Sequence, residues 1–373
     1  MKRAFVTTLF QRLSEQPQFI QIVLGPRQVG KTTGVLQLSE LLKDHTIIYE
    51  NADSVFSSRL QWLKDRWLEA RLKVQDHKKI VLIIDEVQSI PDWSALIKGL
   101  WDQDKRLKNL FHVILLGSSS LELHQGLSES LAGRYEKVYV PHWSYQESKE
   151  LFPKLDLEDY LEYGGYPAPL GLEDKERRRA YLRDAILEPV ITRDIFQNAT
   201  VKKPALFRQT FELVCLHAGE VLSFNKFLGQ LQEGGNVDLV KHYLNLYQQA
   251  FLIRTLEKFS TNKVQKKGSS PKLIPLAPAF VSLFGDIERG RKFELMIGLE
   301  LLRKYEDVTY WREGNAEVDF VIKYKKKIIG IEVKAGNKKD KKGLEFFSTK
   351  FKAKTLLITM ENFEKMHELI ENL

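Results

Sequence analysis

The chain has 373 residues, which at roughly 100–200 residues per domain argues for two or three domains and excludes a single small module. Hydrophobic residues make up 43% and charged residues 28%, which excludes a disordered chain, and the single Cys215 excludes an internal disulfide and zinc sites built on paired cysteines. Residues 1–200 hold 27 Lys and Arg against 28 Asp and Glu, whereas residues 201–373 hold 30 against 21, an imbalance typical of a polyanion-binding half or of a lysine-rich solvated surface.

Apolar runs of strand length alternate with helical patterns over the first 140 residues. Runs that end in turn or charged residues predict buried strands, and the stretches between them predict helices. The strands are predicted at 20–24, 46–51, 79–85, 111–119 and 138–140, and the helices at 32–43, 54–74 and 93–107. This alternation indicates a parallel sheet covered on both faces, so residues 1–142 are predicted to form an α/β domain.

The rest of the chain predicts three further parts. Residues 143–203 are predicted to form a helical lid that is broken by GGYPAP at 164–169. Residues 204–270 match a winged helix-turn-helix, with the polar stretch 261–271 as wing tip or linker. Residues 271–373 are predicted to be a small α/β domain, with strands at 308–311, 317–324, 327–334 and 355–359 and helices at 291–305, 339–351 and 362–372.

A phosphate-binding loop is predicted at 25–32, where GPRQVGKT matches G-x-x-x-x-G-K-[ST] between a buried strand and a helix. Its glycines let the chain curl so that backbone N–H groups point at phosphate oxygens, and the helix N-terminus adds partial positive charge. Lys31 is predicted to reach the β- and γ-phosphates and Thr32 to hold Mg²⁺. ATP and Mg²⁺ are thus the expected cofactors, and the expected binding residues are Gly25, Gln28, Val29, Gly30, Lys31, Thr32 and Thr33.

Two carboxylates end the predicted strand at 79–85. Asp85 is placed to take a magnesium-bound water, and Glu86 to polarise the water that attacks the γ-phosphate. Glu86 and Lys31 are therefore candidate catalytic residues. The next strand ends in GSSS at 117–120, where Ser118 or Ser119 is a candidate for orienting the attacking water.

Two arginines are candidates for sensing the nucleotide. Arg134 lies on the Gly-containing turn LAGR and is predicted either to act as a finger on the nucleotide of a neighbouring subunit or to form a surface salt bridge. The first role requires a homo-oligomer. Arg193, within ITRDI, is a candidate sensor from the lid.

The chain resembles a known family in five motifs that occur in order along nearly its whole length: GPRQVGKTT, LIIDEVQ, LLGSSS, SLAGRYEKVYVPHWSYQE and GGYPAP. This family is the large bacterial and archaeal group of AAA-type ATPases whose C-terminal domain is of the restriction-endonuclease type. The resemblance implies a P-loop ATPase core with a helical lid, a winged helix, and a nuclease-like domain of the PD-(D/E)XK type.

A second site is predicted from the carboxylates at 314–336. Glu332 and Lys334 are two residues apart and so face one side of a strand, and Asp319 can meet them if the strands pair as a hairpin. Two carboxylates and a lysine can bind Mg²⁺ and activate water against a phosphodiester, with Asp319 and Glu332 as metal ligands and all three residues as candidates for catalysis. The resemblance implies the same D…ExK pattern and matches Glu294 to the acid on the preceding helix. The alternative is a nuclease-type fold that persists as a binding module.

Residues 323–354 hold twelve lysines, which predict contacts to phosphates without sequence readout, or a solvated face. A duplex backbone, rather than a single strand whose bases stack on aromatic side chains, is the expected target.

No apolar run reaches the roughly 20 residues of a membrane helix and no signal peptide is recognised, so a cytoplasmic protein without membrane contact is expected. The sequence predicts an Mg²⁺-dependent ATPase whose nucleotide state controls a C-terminal half that binds DNA and is a candidate for cutting it. The alternative is an ATP-driven switch whose C-terminal domain docks a protein partner and cuts nothing. A third interpretation, a protein that holds a nucleotide without turnover, stays open.

Overall fold

The computed structural model describes residues 1–55, 57–75, 79–117, 130–231, 234–261, 269–336 and 342–373. These residues form two compact units. The first unit is Met1–His142 with Glu188–Ala199, and the second is Trp143–Leu187 with Thr200–Leu373. The predicted division into four domains, with boundaries at 142, 203 and 270, stays a prediction. The two compact units do not follow these boundaries. Twelve residues of the predicted lid belong to the first unit, and the remainder of the chain after 142 forms the second.

The first unit is built on a five-stranded sheet in which every neighbouring pair is parallel, as predicted. The strand order is β2-β3-β4-β1-β5. The strands are β1 (Ile20–Leu24), β2 (His45–Asn51), β3 (Lys79–Asp85), β4 (His112–Gly117) and β5 (Tyr135–Tyr139), and the helices are α1 (Ala4–Leu13), α2 (Lys31–Leu36), α3 (Leu38–Leu41), α4 (Arg59–Gln75) and α5 (Trp93–Leu107). The helix predicted at 32–43 is thus divided at Gln37, and the one predicted from residue 54 begins at Arg59.

The strand order positions the functional residues. Strands β1 and β4 are buried along their whole length, which explains their continuous apolar runs. Because β1, β4 and β3 are neighbouring strands that run parallel, their carboxyl ends lie at one edge of the sheet. Leu24 pairs with Gly117 there, and Ile84 pairs with Leu115. The loop that follows β1 therefore lies at the same edge as the two acids that follow β3.

The second unit begins with short helices and continues through a helical bundle into a two-stranded sheet. Residues Tyr181–Leu187 and Val190–Ile195 form π-helical turns, of which the second belongs to the first unit. The helices are α6 (Tyr145–Leu151), α7 (Leu157–Tyr163), α8 (Pro167–Leu170), α9 (Lys175–Ala180), α10 (Pro204–Leu216), α11 (Phe224–Leu228) and α12 (Val237–Gln249), and the antiparallel strands are β6 (Ile253–Leu256) and β7 (Lys272–Pro275).

A four-stranded sheet forms the C-terminal part of this unit, in the order β11-β10-β9-β8. The neighbours β8, β9 and β10 are antiparallel, whereas β10 and β11 are parallel and are connected through a helix. The elements are α13 (Pro278–Phe284), α14 (Arg289–Lys304), β8 (Thr309–Glu313), β9 (Ala316–Tyr324), β10 (Lys327–Lys334), α15 (Lys342–Phe351), β11 (Lys354–Thr359) and α16 (Met366–Glu371).

The β6–β7 pair is joined to the four-stranded sheet. Beyond β6, the N–H of Phe259 donates to the carbonyl of Tyr310 at 2.6 Å, and the N–H of Tyr310 donates to the carbonyl of Glu257 at 3.1 Å. Phe259 then packs in the core cluster that contains Trp311 and Phe347. The boundary predicted at residue 270 therefore falls inside one packed unit, because the strand assigned to the winged helix also supplies core to the C-terminal sheet.

No helix within the described ranges is long and apolar enough to cross a membrane. Cys215 is buried in α10 as a free thiol. The cytoplasmic location stays a prediction.

His112, the first residue of β4, is buried at the amino edge of the first sheet, and burial lowers its pKa to about 4. In the unfolded chain this imidazole would have a pKa near 6.5, so the folded state favours the neutral ring. The neutral His112 ring therefore contributes its full stability above pH 6.5, and this contribution is lost as the pH falls towards 4. Between pH 7 and about pH 4.5 we expect the wild type to lose about 2 kcal/mol more unfolding free energy than His112→Gln, measured by urea titration. The exposed His242→Gln variant is the control, and an equal loss in His112→Gln would contradict the assignment.

Candidate functional site

Two glycines shape the loop between β1 and α2, each for a different reason. Gly30 has φ of 86°, a left-handed conformation that favours glycine, and it caps α2. Gly25 lies so close to the residue that follows β5 that a Cβ on Gly25 would be 2.2 Å from the carbonyl oxygen of Val140. Gln28 also takes a left-handed φ of 59°. The loop therefore curls tightly before the helix begins, as the motif predicts.

Lys31 is folded back into this loop. Its ammonium donates to the carbonyl oxygens of Gly25 at 2.9 Å and Pro26 at 2.7 Å. Burial lowers its pKa to about 8, and the charges of Glu86 and Asp85 act in the opposite direction. A cation at neutral pH is thus held between two neutral acceptors, which a phosphate oxygen can replace.

Asp85 connects β3 to the loop. Its Oδ2 accepts hydrogen bonds from the Thr32 hydroxyl at 2.6 Å and from the Tyr49 hydroxyl at 3.0 Å, and its Oδ1 accepts from the N–H of Glu86 at 2.9 Å. Asp85 is 3% exposed. Burial, with the charge of Asp85, raises the pKa of Tyr49 to about 12, so its hydroxyl stays a donor. A hydroxyl and a carboxylate therefore lie together, which are oxygen donors of the kind that Mg²⁺ prefers.

Glu86 follows directly, with a left-handed φ of 53° that turns the chain out of the strand. Its carboxylate accepts a hydrogen bond from the side-chain amide of Gln88. Its charge acts on Lys31, so the predicted catalytic acid and the predicted phosphate lysine belong to one site.

Other predicted residues lie elsewhere. Thr33 is exposed on α2, and Arg193 is exposed on its π-helical turn. Ser118 and Ser119 lie outside the described residues. Arg134 precedes β5 at the amino ends of the strands, where its carbonyl accepts the N–H of Ile20, so it does not meet the loop of its own chain.

Arg134 instead makes two hydrogen bonds with the carboxylate of Asp102 on α5, at 2.7 and 2.9 Å. This pair corresponds to the salt-bridge alternative, and a finger role in a homo-oligomer stays a prediction.

Sequence reasoning missed two residues that brace the loop. Arg3 is buried and donates to the carbonyl oxygens of Val29 at 2.9 Å and Pro141 at 2.9 Å. Asp194 accepts two hydrogen bonds from Arg27, at 2.8 and 2.6 Å, and its side chain is 6% exposed. Only the apolar neighbours of Asp194 in VITRDI could have indicated that it is buried, and the adjacent Arg193 attracted the prediction instead.

The predicted C-terminal residues lie on the four-stranded sheet. The Lys334 ammonium is 2.6 Å from Oε1 of Glu332, and Oδ2 of Asp319 accepts the N–H of Val333 at 2.8 Å. Burial, with the charges of Asp319 and Glu294, raises the pKa of Glu332. The structure thus brings the four charged residues of the predicted site together, while their catalytic and metal-binding roles stay predictions.

A fifth charged residue, Lys272, completes this cluster and was not predicted. Its Nζ lies 2.6 Å from Oε1 of Glu294 and 3.9 Å from Oδ1 of Asp319, and donates to the Asp319 carbonyl oxygen at 3.1 Å. Its side chain is 1% exposed. Burial by itself would lower the pKa of Lys272, but the charges of the two acids raise it above its usual value, so the ammonium persists. The sequence PKLIP carries no signal for this contact.

Family models divide the chain into three matched segments. Residues 17–149 match the model described as an AAA domain. This match supports an AAA-type P-loop ATPase in this part of the chain. Residues 154–281 and 289–370 match two models described only as domains of unknown function, DUF8612 and DUF4143.

Sequence similarity to relatives of the chain extends beyond the residues that match the AAA domain. An uncharacterized protein of Haemophilus influenzae is 23% identical over 342 residues, which cover 84% of this chain and 82% of that protein. An uncharacterized protein of Mycobacterium tuberculosis is 24% identical over 329 residues, covering 84% and 70%. One of Methanocaldococcus jannaschii is 23% identical over 383 residues, covering 87% and 77%. The similarity therefore includes residues of both units.

Solved structures resemble the chain at low scores. The RuvB Holliday junction branch migration motor of Thermotoga maritima gives a TM-score of 0.35 at 16% identity, covering 67% of this chain and 88% of that one. AMPPCP-bound DnaA from Aquifex aeolicus gives 0.33 at 15% identity, covering 65% and 86%.

Within the first unit, the Arg27–Asp194 pair predicts a measurable coupling. Because Asp194 is buried, removing either partner leaves the other uncompensated, and we expect a double-mutant cycle with Arg27→Ala and Asp194→Ala to give a coupling of about 2 kcal/mol in unfolding free energy. The control cycle uses Arg134 and Asp102, which also form a two-point contact but are 29% and 35% exposed, and should give about 0–1 kcal/mol. Equal couplings would show that burial of Asp194 is unimportant.

Proposed function

We propose that the AAA domain binds ATP with Mg²⁺ and hydrolyses it, and that its nucleotide state controls the second unit. The observation that carries this proposal is the 2.6 Å contact between Thr32 and Asp85, because it joins the phosphate loop to the acids of β3 across an intervening strand. That arrangement assembles a phosphate-binding loop, two oxygen donors and an adjacent carboxylate at one edge of the sheet.

The residues present fit the nucleotide and its metal. In the contacts described above, the Lys31 ammonium donates to two carbonyl oxygens of its own loop, and phosphate oxygens can replace those carbonyls as its acceptors. Thr32 and Asp85 would hold Mg²⁺, which supplies charge neutralisation on the phosphates when bound. Glu86 would then accept a proton from the attacking water. Hydrolysis rather than mere retention of the nucleotide is favoured because this carboxylate directly follows Asp85.

The segment 188–199 offers a route from the loop to the second unit. It belongs to the first unit, whereas the chain on both sides of it belongs to the second. Asp194 on this segment holds Arg27 of the phosphate loop through two hydrogen bonds. A phosphate that attracts Arg27 would weaken that contact and free the segment, so nucleotide binding and the second unit would be coupled through one ion pair.

The first test separates nucleotide binding from turnover. We expect Lys31→Ala to abolish ATP binding in calorimetry, and Glu86→Gln to bind ATP but to lower kcat at least about 100-fold, since general-base catalysis contributes roughly that much. Lys43→Ala, an exposed lysine of the same unit, is the matched control and should behave as wild type. Wild-type turnover in Glu86→Gln would remove Glu86 from the mechanism.

For the second unit we propose contact with the phosphate backbone of duplex DNA. The support is the excess of basic residues after position 200 and the succession of α10, α11, α12 and an antiparallel strand pair, which is the order of elements in a winged helix. Lys226 on α11 and Lys241 on α12 are exposed on the two helices that would form the helix-turn-helix. The loop residues 262–268 of the predicted wing lie outside the described residues.

The second candidate function, a C-terminal half that docks a partner and cuts nothing, is favoured by one observation. The buried Lys272 ammonium already contacts two acids of the cluster, and this contact favours binding over cleavage. The fold itself does not separate the two functions, because the arrangement of α14, β8 to β11 and α15, with acids on β9 and β10, supports a nuclease-like fold for either one.

DNA contact is tested with paired charge reversals. We expect Lys226→Glu/Lys241→Glu to weaken binding of a duplex oligonucleotide at least about tenfold at low salt, and to reduce the slope of log K against log salt by about 2. Lys43→Glu/Lys105→Glu makes the same change of charge at exposed positions of the first unit and should leave binding close to wild type. If the wild-type protein binds no DNA even at low salt, the partner of the second unit is a protein instead.

A further inference from the structure

We propose that the Lys272 ammonium is the cation that neutralises the acidic cluster of Glu294, Asp319 and Glu332, where a metal-dependent nuclease would bind a divalent ion. The same contacts attach β7 to the four-stranded sheet. This inference concerns the second unit alone and does not depend on ATP hydrolysis. It assigns the cluster a structural role that neither family model for this unit describes.

The contacts of Lys272 are those of a bound cation rather than of a surface lysine. Lysine is almost never fully buried unless it is paired, and an ammonium has three N–H donors to satisfy. Here the ammonium forms an ion pair with Oε1 of Glu294 at 2.6 Å, donates to the main-chain carbonyl of Asp319, and lies 4.7 Å from the ring centroid of Phe320. Every neighbour in this set is an acid, a carbonyl oxygen or the negative face of an aromatic ring.

The same contacts leave the acids poorly placed for a metal ion. Oδ1 of Asp319 faces Lys272, its Oδ2 accepts the N–H of Val333, and Oε1 of Glu332 faces Lys334. In the part of the chain that the structure describes, no three His, Cys, Asp or Glu side chains converge to hold a metal. A divalent ion among these acids would also lie close to two ammonium groups that repel it. Oε2 of Glu332 is buried without a hydrogen-bond partner among the described residues. One such oxygen beside two ammonium groups does not provide the several oxygen ligands that a divalent ion needs while Lys272 is in place.

The origin of Lys272 gives the contact a structural consequence. It is the first residue of β7, outside the four-stranded sheet, and it pairs with Leu256 of β6. The backbone hydrogen bonds between Tyr310 and residues 257 and 259 hold the β6–β7 pair to that sheet, together with the Tyr310 hydroxyl, which donates to the Ser270 carbonyl, and the Lys272 ammonium. This attachment needs no metal, so the second unit should keep its fold in the presence of a chelator.

The test compares wild type with Lys272→Met, both full-length, nucleotide-free and stripped of metal with EDTA. Methionine keeps much of the length of the lysine stem but not its charge, so Glu294 and Asp319 lose their cation. We expect the wild type to unfold at the same temperature in EDTA, Mg²⁺ or Mn²⁺. Lys272→Met should unfold about 10 °C lower in EDTA, and Mn²⁺ should restore much of that loss.

A second variant keeps the test decisive if Lys272→Met does not fold. Lys272→Met/Glu294→Gln removes one charge of each sign, and we expect it to unfold at a higher temperature than Lys272→Met, because no buried charge is left without a partner. A double variant that is no more stable than Lys272→Met would contradict the pairing.

Manganese binding, followed by electron paramagnetic resonance, provides the readout that could overturn the proposal. We expect the Asp319-dependent site to bind Mn²⁺ at least about tenfold more tightly in Lys272→Met than in wild type. The proposal fails if wild type binds one Mn²⁺ that Asp319→Asn abolishes, or cleaves plasmid DNA with Mg²⁺ in an Asp319-dependent manner. Comparison with Asp319→Asn separates this cluster from Asp85, so failure here leaves ATP hydrolysis by the first unit untouched.

Discussion

The hydrogen bond between the Thr32 hydroxyl and the Asp85 carboxylate is the constraint on which the nucleotide site depends. The two residues are 53 positions apart, and they meet because β1, β4 and β3 are neighbouring parallel strands whose carboxyl ends lie at the same edge of the sheet. Parallel strands bring their carboxyl ends to one edge, and the helix that starts at Lys31 points its N-terminus at the same place. One strand order thus brings together the phosphate-binding loop, the proposed metal ligands Thr32 and Asp85, and the proposed catalytic acid Glu86.

Both units hold a buried charge against a partner that is distant in the chain. In the first, Asp194 lies 167 positions from Arg27, and in the second, Lys272 lies 47 positions from Asp319. A buried charge is costly without its partner, so such pairs specify which segments must pack together even when they add little net stability. One pair ties a twelve-residue segment to the phosphate loop, and the other ties a strand to an acidic cluster.

These pairs also change how the C-terminal acids are interpreted. From their spacing alone, Asp319, Glu332 and Lys334 have the pattern of a metal-dependent phosphodiesterase. Because Lys272 contacts Glu294 at 2.6 Å, the same cluster instead holds the β6–β7 pair to the four-stranded sheet through ion pairs. The presence of an acidic pattern does not establish chemistry, because the cation that neutralises it can come from the chain itself.

The sequence by itself determined the features that depend on local order: the parallel α/β character of the first part, the phosphate loop with Lys31 and Thr32, the acids that end β3, and the strands that carry Asp319, Glu332 and Lys334. Each is encoded by short-range periodicity or by residues at fixed spacing. Tertiary structure decided the rest: that Arg134 pairs with Asp102 at the opposite edge of the sheet, that Asp194 rather than Arg193 faces the loop, and that Lys272 is buried among acids. These contacts join residues that no periodicity relates, since a long-range ion pair leaves no pattern in the sequence on either side of it.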